Sequence, residues 1–304
     1  MKKQLITGAL LMLAIFSVRA QNPDTAQYMV HYKFSWVRDT GNRANPYIEN
    51  MALFLGKNSS AYKSYDKQVE DALFKKQVQE QMANSPDGNI RVNRHSEASS
   101  QQYYQFPAQE KLSRKEKLFM NSYLINESMP SIPWIVSSDT ASFGGLLCQK
   151  ATAHFKGRDY TCWFCPDMPF HSGPWKFNGL PGVILDAHDA KREVVFAFDG
   201  IEKVGAPASP DKQNPPGGLG VIMFGGDDSD GDPTIIQLPS GAIKTTEKEF
   251  DKLQDAMRKD PNAFVQSQIA ASGMNGDKGP KMKMSVKEGP GPTINNPIEL
   301  PENK

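Results

Sequence analysis

The sequence is poor in cysteine and has no excess of charge of either sign. Its 304 residues include 35 Lys and Arg residues, 34 Asp and Glu residues and only 3 Cys residues. Nucleic acid and anionic membrane surfaces favour proteins with a basic patch or a clear excess of basic residues. The near balance of charges therefore argues against both, and no nucleic acid is predicted as a partner.

Common catalytic motifs are also missing from the sequence. It contains no GxSxG elbow, no HExxH pair and no GxxxxGK loop followed by Ser or Thr. These absences make an enzyme less expected than a binding protein. A hydrolase built from dispersed acidic residues stays open, because carboxylates that are distant in sequence can converge in a fold.

The longest apolar run lies near the start, at residues 5–18, after Lys2 and Lys3. It is too short to span a membrane as an anchor, and the small residue Ala20 suits a signal peptidase. We therefore expect residues 1–20 to be a secretory signal peptide. Gln21 follows in place of a lipid-anchoring cysteine. The sequence predicts export, to the periplasm, the outer membrane or the exterior, with no transmembrane segment in the mature chain.

The rest of the chain, residues 21–304, predicts a single β-rich domain. Alternating apolar residues at 28–37 and apolar runs at 146–155, 160–165, 183–189 and 192–201 predict strands. Helices are expected at 66–83, after a capping box at Thr246–Glu249, and from Pro261 to near Gly273. Short strands with separate helices predict an α+β fold, mainly antiparallel sheet with two or three segregated helices. The composition of residues 205–233 predicts a Gly/Pro/Asp-rich loop, and a Gly/Pro/Lys-rich tail is expected from residue 276.

A stretch rich in glycine and proline, GPWKFNGLPGVI, occupies residues 173–184. Pro181 and Gly182 suit the two central positions of a type II turn that leads into a buried strand. The favoured interpretation is a structural corner, and the alternative is a groove in which exposed Trp175 or Phe177 meets a partner. The fold-defining motif consists of Gly173, Pro174, Trp175, Gly179, Leu180, Pro181 and Gly182.

The three cysteines are Cys148, Cys162 and Cys165. An odd number in an exported chain permits at most one internal disulfide. A two-residue hairpin loop at Lys156-Gly157 would place Cys148 opposite Cys165, whereas a four-residue loop would place it opposite Asp167. A disulfide of Cys148 is expected, with its partner open between Cys165 and Cys162. A thioredoxin-like role is disfavoured, because the CxxC pair lies in a strand-forming run.

No cofactor is predicted, but two metal sites are conceivable from residue type. Copper or zinc could be bound by the three cysteines together with His154 and His171, since thiolate and imidazole suit soft metals. Calcium could be bound by Asp228, Asp230 and Asp232, which alternate in an acidic loop. The EF-hand pattern is broken by Pro233 and Pro239, so a solvated acidic loop is favoured.

Four segments carry a resemblance to a known family. They are CQKATAHFKGRDYTCWF from residue 148, PDMPFHSGPWKFNGLPGVILDAHD from 166, VFAFDGIEKV from 195 and INNPIEL from 294. In this order they resemble the exported GLPGLI family of Bacteroidetes, whose name-giving motif is here Gly179–Ile184 with Val183 in place of leucine. Cys165 stands where members usually carry threonine or a similar residue. The resemblance implies an envelope or secreted protein without an established activity.

We therefore expect a non-enzymatic protein of the cell envelope that acts through protein–protein contacts. Outer-membrane or other envelope proteins are the expected partners. The alternative is a soft-metal or small-ligand binding protein.

Overall fold

The framework of the described chain is one large β-sheet. The computed structural model describes residues 23–84, 98–204, 232–271 and 292–302. The first six strands are β1 (Asp24–Trp36), β2 (Tyr47–Gly56), β3 (Ser60–Ser64), β4 (Gln102–Phe106), β5 (Lys111–Leu118) and β6 (Asn121–Ser128). The others are β7 (Ile135–Phe143), β8 (Leu146–Phe155), β9 (Arg158–Cys165), β10 (Val183–Asp189), β11 (Val194–Lys203), β12 (Ile235–Ile236) and β13 (Ile243–Thr245).

The strand order across the sheet is β13-β6-β5-β4-β3-β2-β1-β11-β10-β9-β8-β7, and β12 pairs with β1 outside this path. In the described residues every neighbouring pair is antiparallel except β13 with β6, which is parallel. The expectation of a mainly antiparallel sheet is confirmed. The α+β label needs correction, because one sheet of 13 strands dominates and the fold is mostly β.

Three α-helices accompany the sheet in the described residues: α1 (Tyr65–Asn84), α2 (Glu247–Lys259) and α3 (Pro261–Ala271). All three occur where the sequence predicts them. Ser64 Oγ accepts a hydrogen bond from the Lys67 amide at the start of α1, and the Thr246 capping box starts α2. None of the described helices is both long and apolar enough to cross a membrane.

The sheet is strongly curved, and its concave face holds the main core. β3 and β11 are three strands apart, which in a flat sheet would separate them by about 14 Å. The rings of Tyr62 on β3 and Phe196 on β11 nevertheless lie only 6.2 Å apart. A smaller core around Phe54 and Ile236 covers the opposite face, and Phe250 of α2 packs on Tyr123 of β6.

β5 is a strand that the sequence pattern does not predict, because its residues KLSRKEKL are largely charged. It forms because ion pairs satisfy its charges while Leu112 is buried in the core. Arg114, 8% exposed, pairs with Glu116, Glu127 and Glu247. A charged strand of this kind lacks the apolar alternation from which strands are predicted.

Several sequence predictions lie outside the described residues. These are the signal peptide at residues 1–20, most of the 205–233 loop with Asp228 and Asp230, and residues 276–291 of the tail.

Candidate functional site

The glycine- and proline-rich segment between β9 and β10 lies inside the curved sheet. Trp175 and Phe177 are 3% and 0% exposed, and their ring centroids are 5.2 Å apart. Phe177 also contacts Tyr160 and Phe196, with centroid distances of 4.9 Å and 5.5 Å. The alternative interpretation, a groove in which exposed Trp175 or Phe177 meets a partner, is therefore wrong, because both rings belong to the core.

Polar side chains hold the backbone of this segment against the sheet. Nε2 of Gln105, on β4, lies 3.0–3.3 Å from the carbonyl oxygens of Gly173, Trp175 and Phe177. Lys176 is 4% exposed. Its Nζ lies 3.0 Å from Glu127 and 2.8 Å from Glu299. A buried ammonium is tolerable only when it is paired in this way. The contacts assign the segment a structural role.

The turn at Leu180–Val183 differs from the expected type II turn. The Gly182 amide donates to the Leu180 carbonyl over 2.9 Å, which closes a tighter turn centred on Pro181. The φ of Gly182 is 154°, whereas the glycine position of a type II turn requires about +80°. The difference arises because Gly182 packs directly on the backbone of Cys165 and Pro166 and leads into β10.

The three cysteines are free thiols in the structure, and all are buried. The β8–β9 hairpin has the two-residue loop, because Phe155 pairs with Arg158 and Ala151 with Cys162. Continuing this register places Cys148 opposite Cys165. Burial is the main reason that the pKa of Cys148 is raised to about 12, and the charge of Cys165 and a hydrogen bond with that residue also raise it. Burial likewise raises the pKa of Cys162. The disulfide stays a prediction.

The proposed metal-binding residues are not brought together. His154 is exposed, whereas the three thiols are buried. Its two ring nitrogens contact Asp159 at 2.6 Å and Glu302 at 3.0 Å. His171 is also exposed. Among the described residues no group of three His, Cys, Asp or Glu side chains is arranged to hold a metal ion.

Of the three candidate calcium ligands, only Asp232 lies in the described part of the chain. Its Oδ1 accepts hydrogen bonds from the amide and the hydroxyl of Thr234, at 2.9 Å and 2.6 Å. This is a local turn interaction and requires no cation.

A buried ion cluster that the sequence does not predict lies at the β8–β9 hairpin. The Arg158 side chain is 3% exposed and contacts Asp189 at 2.7 Å and Glu193 at 3.3 Å. Both oxygens of Asp189 are used, because Oδ1 accepts from the amides of Glu193 and Val194. No spacing in the sequence indicates that these side chains meet.

Arg158 also fixes the segment 292–302 across the hairpin. Its guanidinium donates to the carbonyl oxygens of Ile298 and Pro297 and to Oδ1 of Asn296, over 2.7–2.9 Å. Trp36 Nε1 donates to the Asn296 carbonyl. The end of the Gly/Pro/Lys-rich tail, including the INNPIEL segment, is therefore an ordered part of the fold.

A wide cleft lies between α1 and the edge of β2, with a volume of about 760 Å³. It exists because β3 pairs with β2 only from Met51 onward, and the chain then turns away into α1. The first half of β2 is thereby left beside the cleft. This volume lies in the range of small-molecule and peptide pockets. The lining consists of His31, Tyr32, Pro46, Tyr47, Ile48, Glu49, Asn50, Met51, Tyr65, Asp66, Val69, Glu70, Ala98 and Asp199.

Four carboxylates line the cleft, against a single histidine. Glu49 is 3% exposed and accepts from the Tyr47 hydroxyl at 2.7 Å and the Ser99 amide at 2.6 Å. Both oxygens of Asp66 accept from Asn50. Glu70 Oε2, by contrast, is buried without a hydrogen-bond partner among the described residues. Dispersed carboxylates do converge here, but two of the four are already engaged by neutral donors.

Exposed apolar side chains form the rim of the cleft. Ile48 is 53% exposed and Val69 42% exposed. Tyr65, Val69 and Leu73 are spaced four residues apart on α1 and therefore share one helix face. No motif in the sequence indicates this site, although the row of apolar residues beside Asp66 and Glu70 is a signal for it.

The comparisons with known proteins are limited in extent. Residues 154–186 match the model of a family described as "Protein of unknown function (Porph_ging)". No curated protein is significantly similar to the chain.

Two solved structures of PNGF-II are distantly similar to the chain. The structure in space group P21 has a TM-score of 0.40 and 11% sequence identity, and the matched region covers 60% of this chain and 29% of the PNGF-II chain. The structure in space group C2 has a TM-score of 0.45 and 10% sequence identity, and the matched region covers 75% of this chain and 32% of the PNGF-II chain. The chain thus spans about a third of the length of these structures. Over residues 154–186, the chain is similar to a family of unknown function.

Proposed function

We propose that the protein is exported to the cell envelope and acts there by binding a segment of another polypeptide in the cleft between α1 and β2. The observation that carries the proposal is the combination of exposed apolar side chains with carboxylates in one concave surface. An exposed apolar patch bordered by polar groups is typical of a protein interaction site. The partner segment has an apolar anchor and at least one Lys or Arg.

The charge of the cleft supports a basic segment. Glu49, Asp66, Glu70 and Asp199 outnumber His31, and complementary charge guides association and excludes wrong partners. The unpartnered oxygen of Glu70 is the natural acceptor, because a buried carboxylate oxygen without a donor is unfavourable. A Lys or Arg of the partner removes this unfavourable state.

Export and envelope location rest on the sequence. The basic start, the apolar run at residues 5–18 and Ala20 are the features of a cleaved signal peptide. The GLPGLI resemblance supports the same compartment. A copper or zinc carrier is the weaker alternative, because its three thiols are buried whereas His154 and His171 are exposed.

A photocrosslinker in place of Val69 tests the proposal in the native envelope. The expected result is one dominant crosslinked envelope protein. The control is the same crosslinker in place of Leu147, which is 59% exposed on β8 and outside the cleft. The same set of products at both positions, or none at Val69, would contradict the proposal.

Binding of the purified partner gives a second, quantitative test. Glu70→Gln keeps the size of the side chain and removes its charge, so the dissociation constant should rise about fivefold, as for one partly exposed ion pair. Glu80→Gln makes the same change on α1 outside the cleft and should leave affinity unchanged. Equal effects of the two variants would remove the cleft from the binding site.

A further inference from the structure

A second, smaller cavity borders the cleft on its inner side. Its volume is about 80 Å³, and it shares Tyr47, Glu49 and Met51 with the cleft. The remaining wall comes largely from aromatic side chains of the core, and Ile298 of the 292–302 segment also lines it. The volume exceeds the ~10–15 Å³ that one water molecule needs, so a group of several heavy atoms fits.

The first unpartnered group in this cavity is the hydroxyl of Tyr62. Tyr62 is 3% exposed, lines the cavity and has no hydrogen-bond partner for its hydroxyl among the described residues. Burial, followed by the charges of Tyr32 and Glu49, raises the pKa of Tyr62 well above its usual value. The phenol therefore stays protonated and can donate.

The second unpartnered group is Nε of Arg38, which also lines the cavity. The guanidinium carbon of Arg38 lies 3.5 Å from the ring centroid of Tyr47 and 5.1 Å from that of Trp36. This stacking fixes the plane of the guanidinium and thus the direction of its N–H groups. Arg38 has only donors to offer.

The Glu49 and Gln101 side chains that line the cavity are engaged with other donors. Both oxygens of Glu49 accept hydrogen bonds from Tyr47 and Ser99, and Oε1 of Gln101 accepts from the Tyr103 hydroxyl. Neither Nε of Arg38 nor the Tyr62 hydroxyl reaches an acceptor among the described residues. A small group with one or two oxygen acceptors matches both the volume of the cavity and the missing hydrogen bonds.

We propose that this inner cavity binds a small planar oxygen acceptor, a carboxylate or carboxamide group, through the Tyr62 hydroxyl and Nε of Arg38. This inference goes beyond the proposed function, since it does not require a polypeptide partner. Ordered water is the simplest competing occupant, because water also satisfies buried donors. A saturable effect of a named small acceptor distinguishes the two.

The test uses the mature chain with ¹⁵N-labelled tryptophan. Of the 4 tryptophans, Trp36 and Trp175 line the cavity, whereas Trp134 and Trp163 do not. Sodium acetate and acetamide are titrated separately, with methylammonium chloride as the cation control at matched ionic strength. The expected result is a saturable shift of the Trp36 and Trp175 indole signals with acetate, acetamide or both. Whichever of acetate and acetamide binds with the lower dissociation constant shows whether the site prefers a charged or a neutral acceptor.

Two matched variants assign the effect to the cavity. Tyr62→Phe removes the unpartnered hydroxyl and should weaken binding about tenfold, the loss expected for one buried hydrogen bond. Tyr160→Phe removes another buried, unpartnered hydroxyl that does not line the cavity and should leave binding unchanged. A linear response to both acceptors, or equal binding by Tyr62→Phe, would overturn the proposal and leave water as the occupant. Saturation only by methylammonium would overturn it in favour of a cation site. Because crosslinking at Val69 needs no small acceptor, failure here is distinguishable from failure of the proposed function.

Discussion

Gly182 packs against the peptide backbone of Cys165 so closely that a β-carbon at residue 182 would lie 2.1 Å from the Cys165 carbonyl oxygen. The neighbouring atoms are backbone and cannot rotate away. The φ of Gly182, 154°, is also one that residues with side chains rarely adopt. The GLPG motif therefore requires glycine at residue 182 for two independent reasons.

Gly182→Ala should lower the free energy of unfolding by about 3 kcal/mol or more, because the β10–β9 pairing must shift to relieve the contact. The measurement is urea unfolding followed by tryptophan fluorescence. Gly145→Ala is the matched control: Gly145 has a φ of 83° but open space around it, so the loss should be only about 1–2 kcal/mol. Equal losses in the two variants would show that the close approach to Cys165 is not limiting.

The contrast between Gly182 and Arg158 shows what the sequence could predict. Strands β1, β8, β10 and β11, the three helices and the position of the GLPG corner follow from local periodicity, capping and turn chemistry. The backbone conformation of the corner cannot be predicted in this way, because it depends on contact with Cys165 of the neighbouring strand β9. Arg158 meets Asp189, Glu193 and Asn296 only after folding, and no local pattern encodes contacts at such separations in sequence.

The candidate site was unpredictable for the same reason. The cleft forms where β3 stops pairing with β2, which is a property of sheet topology and not of any short segment. Trp175 and Phe177 illustrate a different limit, since the sequence left exposure of these rings open as an alternative and only the curved sheet shows that both are enclosed. Single-sequence patterns indicate elements far better than the distant surfaces those elements bring together.

Arg158→Met should destabilise the fold and release the 292–302 segment. Removing the guanidinium leaves Asp189 buried with part of its charge unpaired, a loss of about 3–5 kcal/mol. The indole N–H of Trp36, which donates to Asn296, should exchange faster with solvent in the variant. The control is Arg43→Met, which removes the other basic partner of Glu193. The Arg43 side chain is 51% exposed, so this substitution should lower the free energy of unfolding by at most about 1 kcal/mol. Slow Trp36 exchange in Arg158→Met would contradict the role assigned to Arg158.

The thiols of Cys148 and Cys165 are expected to form a disulfide when the protein is exported to an oxidising compartment. Opposed residues of an antiparallel pair have α-carbons about 4.5–5.5 Å apart, within the range for a disulfide. An oxidoreductase disulfide would accept the two electrons and two protons. Peptide mapping after alkylation without reductant should find Cys148 linked to Cys165 and Cys162 alkylated.

The single-cysteine variants provide the control for this prediction. Cys162→Ser should keep the cross-link and Cys165→Ser should lose it. Three alkylated cysteines in exported protein would show that the pair stays reduced.

Asp186 should make the fold less stable as the pH rises. Burial raises its pKa above the usual value, and the amide of Phe198 and the charges of His188 and Arg192 oppose this only in part. Because the folded state binds the Asp186 proton more tightly than the unfolded chain does, this contribution to stability is complete below the unfolded pKa of about 3.9. It is lost as the pH rises through the higher folded pKa.

Asp186→Asn removes this dependence and keeps an oxygen that can accept from the Phe198 amide. The melting temperature of the variant should therefore exceed that of the wild type at pH 7, and the difference should shrink as the pH is lowered toward 4. Thermal unfolding by circular dichroism across this range measures it. A difference that is constant with pH would mean that the substitution acts through packing near Tyr32 and Cys148, whose pKa values Asp186 also raises. A difference that grows toward low pH would show that the Asp186 carboxylate is stabilised in the fold, contrary to its burial.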